Sequence, residues 1–477
     1  AAGTTAQLYW SPDNVVAYTP ISAKVPVSTT SGRIVTGQLA TTGAATAGGA
    51  NAWFYVYGEN LGLGVSGRTV AFLNPTGSPL GDPPTVPASL SGWNASVGPV
   101  LMVAPKAAGV YNGLVVGSGG AAHPSSGFFT LKVDSKQKFS GSLYVDGDKV
   151  GFTGLLGLDG TGTSTMKAGK ENRNKFGKSP VYVTVSVDLN GGDVVTGTVT
   201  NVDWGTNEVW TSTLTGDRAV FNLTDNPATN YAGTYTLVIP GANPVKGDSY
   251  ALVTVGLDGK VKASGALAES SGSKALKLGT LSTSISKNGD WPFHVQKLYP
   301  EARTVLGKTY KEYQGSVMGW LTFTGDQYAT NRDLTGTVLW VKPGWTNIWY
   351  TGGFSNAVEV AGSAYVSPVD GVRALDVPSD MATVGHTNGL TADFENTFSW
   401  LAGEKTANKL TAQAGYLNLE KSLAITAKSG LVKGTFSLDA GVTKNTVEGV
   451  LLQDANVGRG FFLGTSESGA IRLTPAL

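Results

Sequence analysis

The sequence predicts an all-β protein of tandem antiparallel β-barrel or β-sandwich modules, built from hairpin meanders with very little helix. Apolar and polar residues alternate with period two, as in Phe128-Phe129-Thr130-Leu131-Lys132-Val133 and Val181-Tyr182-Val183-Thr184-Val185. These runs are rich in Val, Thr, Tyr and Phe, which suit a pleated, half-buried surface. They are bounded by Gly, Asn, Asp and Ser, which accept the backbone angles of turns. Glycine makes up 65 of 477 residues, about twice its ordinary share.

A hairpin unit recurs along the chain, with a strand, a polar turn, and a second strand that contains an interior Gly. The units span residues 131–143, 183–199, 252–267, 318–339 and 423–438. Asp258-Gly259 is the type of turn that joins adjacent antiparallel strands. An interior glycine weakens a strand, so Gly197 and Gly265 predict bulges, sharp bends or close backbone approaches. A sheet that curls into a barrel needs such positions.

Domain boundaries follow changes in composition. Residues 298–313 are the segment with helical character, and a short helix is predicted there. The proline-rich stretch 74–106 predicts a linker or an extended edge segment. We therefore expect four regions, which are an N-terminal β region with the linker, two β modules and a C-terminal β module, at 1–106, 107–230, 231–375 and 376–477.

The composition excludes several classes of function. The absence of Cys rules out disulfides, thiolate nucleophiles, Cys-bound zinc and iron–sulfur clusters. A net charge of +1 provides no electrostatic attraction to nucleic acid or anionic lipid. No apolar run is long enough for a transmembrane helix. Ala1-Ala2-Gly3 is typical of the position after signal-peptide cleavage, so we expect a secreted, extracellular or cell-surface protein.

The residue pattern predicts no catalytic residue, no metal site and no cofactor. His123, His294 and His386 lie far apart in the chain and lack metal-ligand spacing. Most acidic residues lie in turns, where turn formation accounts for them. Asp146-Gly147-Asp148 could contact calcium but lacks the twelve-residue acidic loop. A hydrolase whose two carboxylates are brought together by the fold stays open as a hypothesis, because sequence spacing does not reveal such pairs.

An aromatic cluster is the strongest candidate for a binding site. Trp340, Trp345, Trp349 and Tyr350 lie close together in the chain, next to Pro343-Gly344. Three interpretations remain open, which are core packing, an interface between subunits, and a platform on which sugar rings stack. A second candidate, for assembly, is the strand Gln7-Leu8-Tyr9-Trp10, which could insert into a neighbouring copy.

Several glycine-rich phrases carry a resemblance to a known group. They are Tyr111-Asn112-Gly113-Leu114, Phe139-Ser140-Gly141-Ser142-Leu143, Gly233-Thr234-Tyr235-Thr236-Leu237, Gly319-Trp320-Leu321-Thr322-Phe323 and Gly460-Phe461-Phe462-Leu463-Gly464. Together they resemble the Gly-rich C-terminal β module of large secreted, uncharacterised proteins of verrucomicrobial and planctomycete-like bacteria, over residues 107–477. In those proteins the module often follows adhesin-like β domains. The resemblance implies extracellular or cell-surface work and no particular activity.

These observations predict a secreted, non-enzymatic structural protein that assembles with itself into a filament, tube or surface layer. Low charge lowers the barrier to self-association, and β-edges and apolar contacts supply the surfaces. The alternative is a cell-surface adhesin or carbohydrate-binding protein that uses the aromatic cluster. The expected partners are further copies of the chain and, under the alternative, polysaccharide, with neither nucleic acid nor a membrane span.

Overall fold

Antiparallel strands make up the described structure, and no helix occurs among the described residues. In this computed structural model, the strands between residues 4 and 73 and between 381 and 412 are described by their backbone alone. The description otherwise covers residues 107–376 and 423–475, apart from gaps at 136, 158–159, 165–177, 189–191, 203–207, 272–273, 306, 326–332, 345–348, 370–371, 437–444 and 465. The proline-rich stretch 74–106 lies outside the described residues.

The chain divides into two compact units, Ala1–Ala104 and Pro105–Leu477. The first unit holds a six-stranded antiparallel sheet. Its strands are β1 (Thr4–Ser11), β2 (Thr19–Pro20), β3 (Val25–Pro26), β4 (Trp53–Asn60), β5 (Val65–Arg68) and β6 (Phe72–Leu73). Strand β1 lies inside this sheet, since β4 pairs with it along one side and β2 and β3 pair along the other.

The second unit begins with an eight-stranded sheet in the order β10-β9-β8-β7-β14-β13-β12-β11. Its strands are β7 (Gly109–Gly117), β8 (Gly127–Val133), β9 (Lys138–Val145), β10 (Asp148–Leu155), β11 (Thr161–Thr163), β12 (Val181–Val187), β13 (Val194–Val202) and β14 (Glu208–Arg218). The end strands β10 and β11 lie against each other, so the sheet forms a nearly closed barrel, called here the first barrel. Its interior holds fully buried residues such as Phe129, Leu143, Val199 and Leu214.

A nine-stranded sheet follows in the order β18-β17-β16-β15-β23-β22-β21-β20, with β19 also paired to β17. Its strands are β15 (Gly233–Ile239), β16 (Ser249–Val255), β17 (Lys260–Ser271), β18 (Lys274–Lys277), β19 (Leu281–Ser284), β20 (Asp290–Val305), β21 (Lys308–Phe323), β22 (Asp333–Lys342) and β23 (Phe354–Ala364). Since β19 lies against β20, this sheet also curls into a nearly closed barrel, the second barrel.

The third barrel is closed, and it consists of eight strands paired in chain order. They are β24 (Met381–Thr387), β25 (Phe394–Trp400), β26 (Lys409–Ala412), β27 (Leu423–Thr426), β28 (Leu431–Phe436), β29 (Asn445–Leu452), β30 (Val457–Leu463) and β31 (Ser468–Pro475). Strand β31 pairs with β24 and closes the ring. The prediction of tandem all-β barrels is confirmed.

The second and third barrels share one apolar core. Val450, Leu452 and Phe461 of the third barrel pack within the buried cluster of the second. Polar contacts cross the same boundary, where the Tyr250 hydroxyl donates to Glu448 Oε2 at 2.8 Å and Arg459 Nε donates to Asp248 Oδ2 at 2.8 Å. These two barrels are therefore held together by core packing rather than by a flexible link.

The recurring glycines lie at close backbone approaches, as predicted. All five hairpin units form antiparallel strand pairs. A Cβ on Gly197 would lie 2.0 Å from the Thr184 carbonyl oxygen, and one on Gly265 would lie 2.0 Å from the Tyr250 carbonyl oxygen. No side chain fits in that space, so these positions require glycine.

The predicted helix at residues 298–313 is wrong. This segment forms the turn and the adjoining strand ends of the hairpin of β20 and β21, which turns at Gly307 with a φ of 75°. Long-range strand pairing along the second barrel overrides the local helical preference of the segment.

Candidate functional site

The outward surface of the first barrel carries a grid of hydroxyl residues on β11 to β14. In β13 and β14, outward threonines alternate with buried residues such as Val199 and Leu214. Residues directly opposite each other in an antiparallel pair lie on the same face. The outward pairs are Thr163 with Thr184, Thr161 with Ser186, Tyr182 with Thr200, Thr184 with Thr198, Ser186 with Thr196, Thr196 with Thr215, Thr198 with Thr213 and Thr200 with Thr211. We call this surface the threonine face.

Hydroxyls of the threonine face hydrogen-bond to one another across the strands. The Thr184 and Thr198 Oγ1 atoms lie 2.5 Å apart, and those of Thr200 and Thr211 lie 3.2 Å apart. Thr184 Oγ1 also accepts from the backbone N–H of Thr198 at 3.2 Å. Because these hydroxyls already hydrogen-bond to neighbouring strands, a partner surface could cover them at a small desolvation cost.

The centre of the threonine face carries no charged residue. Strands β11, β12 and β13 contain no Asp, Glu, Lys or Arg, and β14 carries charges only at its ends, in Glu208, Asp217 and Arg218. Exposed apolar side chains lie around it, namely Val116 (36% exposed), Tyr182 (43%), Val194 (47%) and Val209 (57%). The combination of exposed apolar groups and absent charge is typical of a contact surface.

The predicted aromatic cluster is an internal feature of this chain. Trp340 and Trp349 are buried at 2% and 4% exposure, and Tyr350 is half-buried. The Tyr350 hydroxyl lies 3.1 Å from Ser468 Oγ, so this ring joins the second barrel to the third. Buried rings cannot stack on sugars, so of the three interpretations core packing fits Trp340 and Trp349 best. Trp345 lies outside the described residues.

The predicted assembly strand Gln7-Leu8-Tyr9-Trp10 lies within β1. Each of these residues pairs with β4, and Tyr9 and Trp10 also pair with β2 on the other side. The strand therefore has partners in its own sheet, and its insertion into a neighbouring copy would require these pairs to separate. That role stays a prediction.

Two histidines that are distant in sequence meet where the first barrel contacts the second. The ring of His294 stacks on Phe128 with 5.9 Å between centroids, and His123 Nε2 donates to the Tyr313 carbonyl at 3.1 Å. Burial, and the nearby His123, lower the pKa of His294 to about 3, so its ring is neutral. Burial also lowers the pKa of His123. The side chain of His386 lies outside the described residues.

The acidic turn Asp146-Gly147-Asp148 lies at the same junction and surrounds a lysine. Lys178 Nζ is 3.1 Å from Asp146, 3.4 Å from Asp148 and 2.8 Å from Glu312 of the second barrel. Burial opposes the charge of Lys178, but the three carboxylates outweigh it and hold the lysine pKa above its usual value. The lysine ammonium thus offsets one of the three negative charges, and Arg303 Nη1, 3.3 Å from Glu312 Oε2, offsets a second. Among the described residues, no set of three or more His, Cys, Asp or Glu is arranged to hold a metal ion.

A second polar group lies inside the second barrel. The carboxylate of Glu269, on β17, is fully buried and accepts hydrogen bonds from Lys342 Nζ and from the Tyr299 hydroxyl. Trp340 Nε1 donates to the Tyr299 oxygen at 2.9 Å. The Lys342 ammonium also lies 4.4 Å from the centroid of the Tyr299 ring. We call these residues the buried network.

Sequence reasoning missed both the threonine face and the buried network. The face had a visible signal, because Thr196, Thr198 and Thr200 alternate along one strand and Thr211, Thr213 and Thr215 along the next. The network had a fainter signal in Lys342, which continues the inward alternation of Val338 and Trp340. Its pairing with Glu269, 73 residues away, depends on barrel topology that spacing does not encode.

Comparisons with known proteins leave the function open. No family model matches this chain, and neither does any curated protein. The similar solved structures include a protein of unknown function from the DUF3598 family of Nostoc punctiforme, with 9% identity, a TM-score of 0.16, and coverage of 54% of this chain and 96% of that chain. They also include intact Ap-TbpB with its N and C lobes, with 11% identity, a TM-score of 0.16, and coverage of 77% and 76%.

A mutant of the vaccine antigen transferrin binding protein B from Haemophilus parasuis has 10% identity, a TM-score of 0.17, and coverage of 77% of this chain and 75% of its own. TM-scores this low do not establish a shared overall fold. Separately, no helix in the described part of the chain is long and apolar enough to cross a bilayer.

Proposed function

We propose that this chain is a secreted bacterial structural protein that associates with copies of itself through the threonine face. The observation that carries the proposal is the absence of charge from an outward surface ringed by exposed Val116, Tyr182, Val194 and Val209. A second copy fits this surface because the net charge of the chain is close to zero, at +1, and two faces without charged centres meet without repulsion.

The chemistry of the threonine face favours a second copy over a charged ligand. A face without cations or anions has nothing to pair with an acidic or basic polymer. Methyl groups and hydroxyls that already bond to each other can pack against the same groups of another copy. The carbohydrate-binding alternative loses support, because Trp340 and Trp349 are buried.

The geometry of such a contact decides the type of assembly. A face that meets the same face of another copy forms a closed two-fold pair. Growth into a filament, tube or surface layer then needs a second contact, for which the edges of the N-terminal sheet are the proposed surface.

The test places one charge in the centre of the face. We expect wild-type protein to form dimers or larger assemblies at micromolar concentration, and Thr198→Glu to shift them to monomers, because the carboxylate would be desolvated in the contact. Ser140→Glu is the matched control, since Ser140 is an exposed hydroxyl residue on β9, outside the face. Light scattering after size exclusion and negative-stain imaging provide the measurement.

Two results would overturn the proposal. One is wild-type protein that stays monomeric at high concentration. The other is an assembly that dissociates equally in the Thr198 and Ser140 variants, because the effect would then follow from added charge and not from this face.

A further inference from the structure

The buried network places an amine and a carboxyl group in contact inside the second barrel. Glu269 is fully buried, and the side chain of Lys342 is 3% exposed. Lys342 Nζ contacts Glu269 Oε1, while the Tyr299 hydroxyl contacts the other oxygen, Oε2. All of these contacts are made by fixed side chains on β17, β20 and β22, so the reacting groups are held together.

The backbone around Tyr299 is bent in a way that directs its hydroxyl at the carboxyl. Tyr299 has a positive φ of 50°, which is uncommon for an aromatic residue. The pairing of β20 with β21 shifts register between Val295 and Leu298, immediately before it. Strained positions of this kind persist when surrounding structure holds them, and they concentrate at functional sites.

We propose that Glu269 and Lys342 condense to an intramolecular amide between Glu269 Cδ and Lys342 Nζ, with Tyr299 as the catalytic residue. The ion pair first becomes a neutral pair when a proton moves from Nζ to Oε1. The amine lone pair then attacks Cδ, and the C=O electrons move to Oε2, where the Tyr299 O–H stabilises the developing negative charge. A second proton then moves from Nζ to Oε1. The electrons on Oε2 re-form the C=O bond while the Cδ–Oε1 bond breaks, its electron pair stays on Oε1, and Oε1 leaves as water.

The step is balanced without any co-reactant. One carboxylate and one ammonium give one secondary amide and one water, with no change in oxidation state. Burial of the Glu269 carboxyl favours its neutral form, which is the form that an amine can attack. Consistently, burial raises the pKa of the Glu269 carboxyl, against the lowering effects of Lys342 and Tyr299. Trp340, which donates to the Tyr299 oxygen, packs against Phe354 with 5.2 Å between ring centroids.

The mass of the intact, full-length protein tests the proposal directly. We expect the denatured wild-type chain to be lighter than its sequence by about 18 Da, the mass of one water. Tryptic digestion should then yield a branched peptide that joins residues 263–274 to residues 333–373. A wild-type chain with the full sequence mass, in protein shown to be folded, would overturn the proposal.

Three variants separate this reaction from an ordinary ion pair. Lys342→Arg keeps the positive charge but replaces the amine with a guanidinium that stays protonated, so the mass loss should disappear. Lys277→Arg is the matched control. Lys277 pairs with Glu448 at 2.7 Å through a side chain that is 53% exposed, and its replacement should leave the mass loss intact. Tyr299→Phe should slow condensation and leave a mixture of both masses.

The variants also have outcomes that count against the assignment. If Lys342→Arg still lacks about 18 Da, the amide is formed by another pair of residues, and the assignment to Glu269 and Lys342 is overturned. Complete condensation in Tyr299→Phe would remove the catalytic part assigned to the phenol. If Lys342→Arg does not fold, the branched wild-type peptide still decides the question.

Discussion

A glycine substitution tests the close strand approach that shapes the first barrel. A Cβ at half-buried Gly197 would lie 2.0 Å from the Thr184 carbonyl oxygen, whereas real contacts of this kind stay beyond 3.0 Å. Gly197→Ala must therefore push β13 and β12 apart by about 1 Å against a normal strand spacing of about 4.8 Å. Overpacking of this kind costs about 3 kcal/mol, including weakened ladder hydrogen bonds.

The matched control is Gly151→Ala, on β10 of the same barrel. Nothing lies within 4 Å of a Cβ built there. Replacing a strand glycine at an open position reduces the entropy of the unfolded chain, so this variant should be more stable by about 0.5 kcal/mol. The two substitutions are chemically identical, and only the position of Thr184 predicts their opposite signs.

Calorimetry of the full chain, with hydrogen exchange to locate the first barrel, measures both effects. For a domain of this size, about 3 kcal/mol corresponds to a Tm lowered by at least about 6 °C in the transition that opens β12 and β13. If Gly197→Ala melts together with Gly151→Ala, the backbones are further apart than the structure shows, and the argument about barrel curvature fails.

Two further predictions concern pH. Burial, with smaller contributions from Asp290 and Asp193, raises the pKa of Asp217 to about 6. The stability that the protonated carboxyl contributes is therefore complete below the unfolded pKa of 3.8 and is lost as pH rises through about 6. With a discount for the solvent that reaches this half-buried group, Asp217→Asn should be more stable than wild type by about 1 kcal/mol at pH 8 and equal to it near pH 3.5, as measured by denaturant titration. His294 has the opposite sign, because its folded pKa of about 3 lies below its unfolded value of 6.5, so stability is complete above pH 6.5 and falls as pH drops toward 3. Between pH 7 and pH 5, His294 should lower the free energy of unfolding of the wild-type protein by about 2 kcal/mol, and His294→Leu should not show this decrease. An unchanged pH profile in the variant would mean that His294 does not stay neutral in the fold.

The fold class was predictable because its signal is local. Period-two alternation and turn residues mark strands whatever their partners, and the interior glycines mark curvature. The helix predicted at 298–313 failed because that segment is a hairpin stabilised by pairing along β20 and β21, which local preference does not encode. Barrel closure depends on contacts between the end strands of each sheet. In the first barrel β10 contacts β11, which follows it in sequence after a short turn, and in the third barrel β24 pairs with β31 from the opposite end of the module.

The candidate sites were less predictable because they depend on register. The concentration of aromatic residues is visible in the sequence, but whether Trp340 faces inward depends on which way β22 is turned. The threonine face needs β13 and β14 to pair so that Thr198 lies opposite Thr213, and a shift of one residue would turn one row to the interior. His123 and His294 meet through the contact between two barrels, which no spacing rule describes.

The proposed extracellular location gives the absence of cysteine a bearing on the proposed amide. A protein outside the cell faces unfolding without repair, and proteins there commonly use disulfides to limit the unfolded state. This chain has no Cys. An amide between Glu269 and Lys342 would close a loop of 73 residues, which in the chain-entropy treatment of a cross-link stabilises the fold by about 4 kcal/mol. Because the second barrel shares its core with the third, an amide that opposes unfolding of the second barrel would also help to keep the third barrel folded.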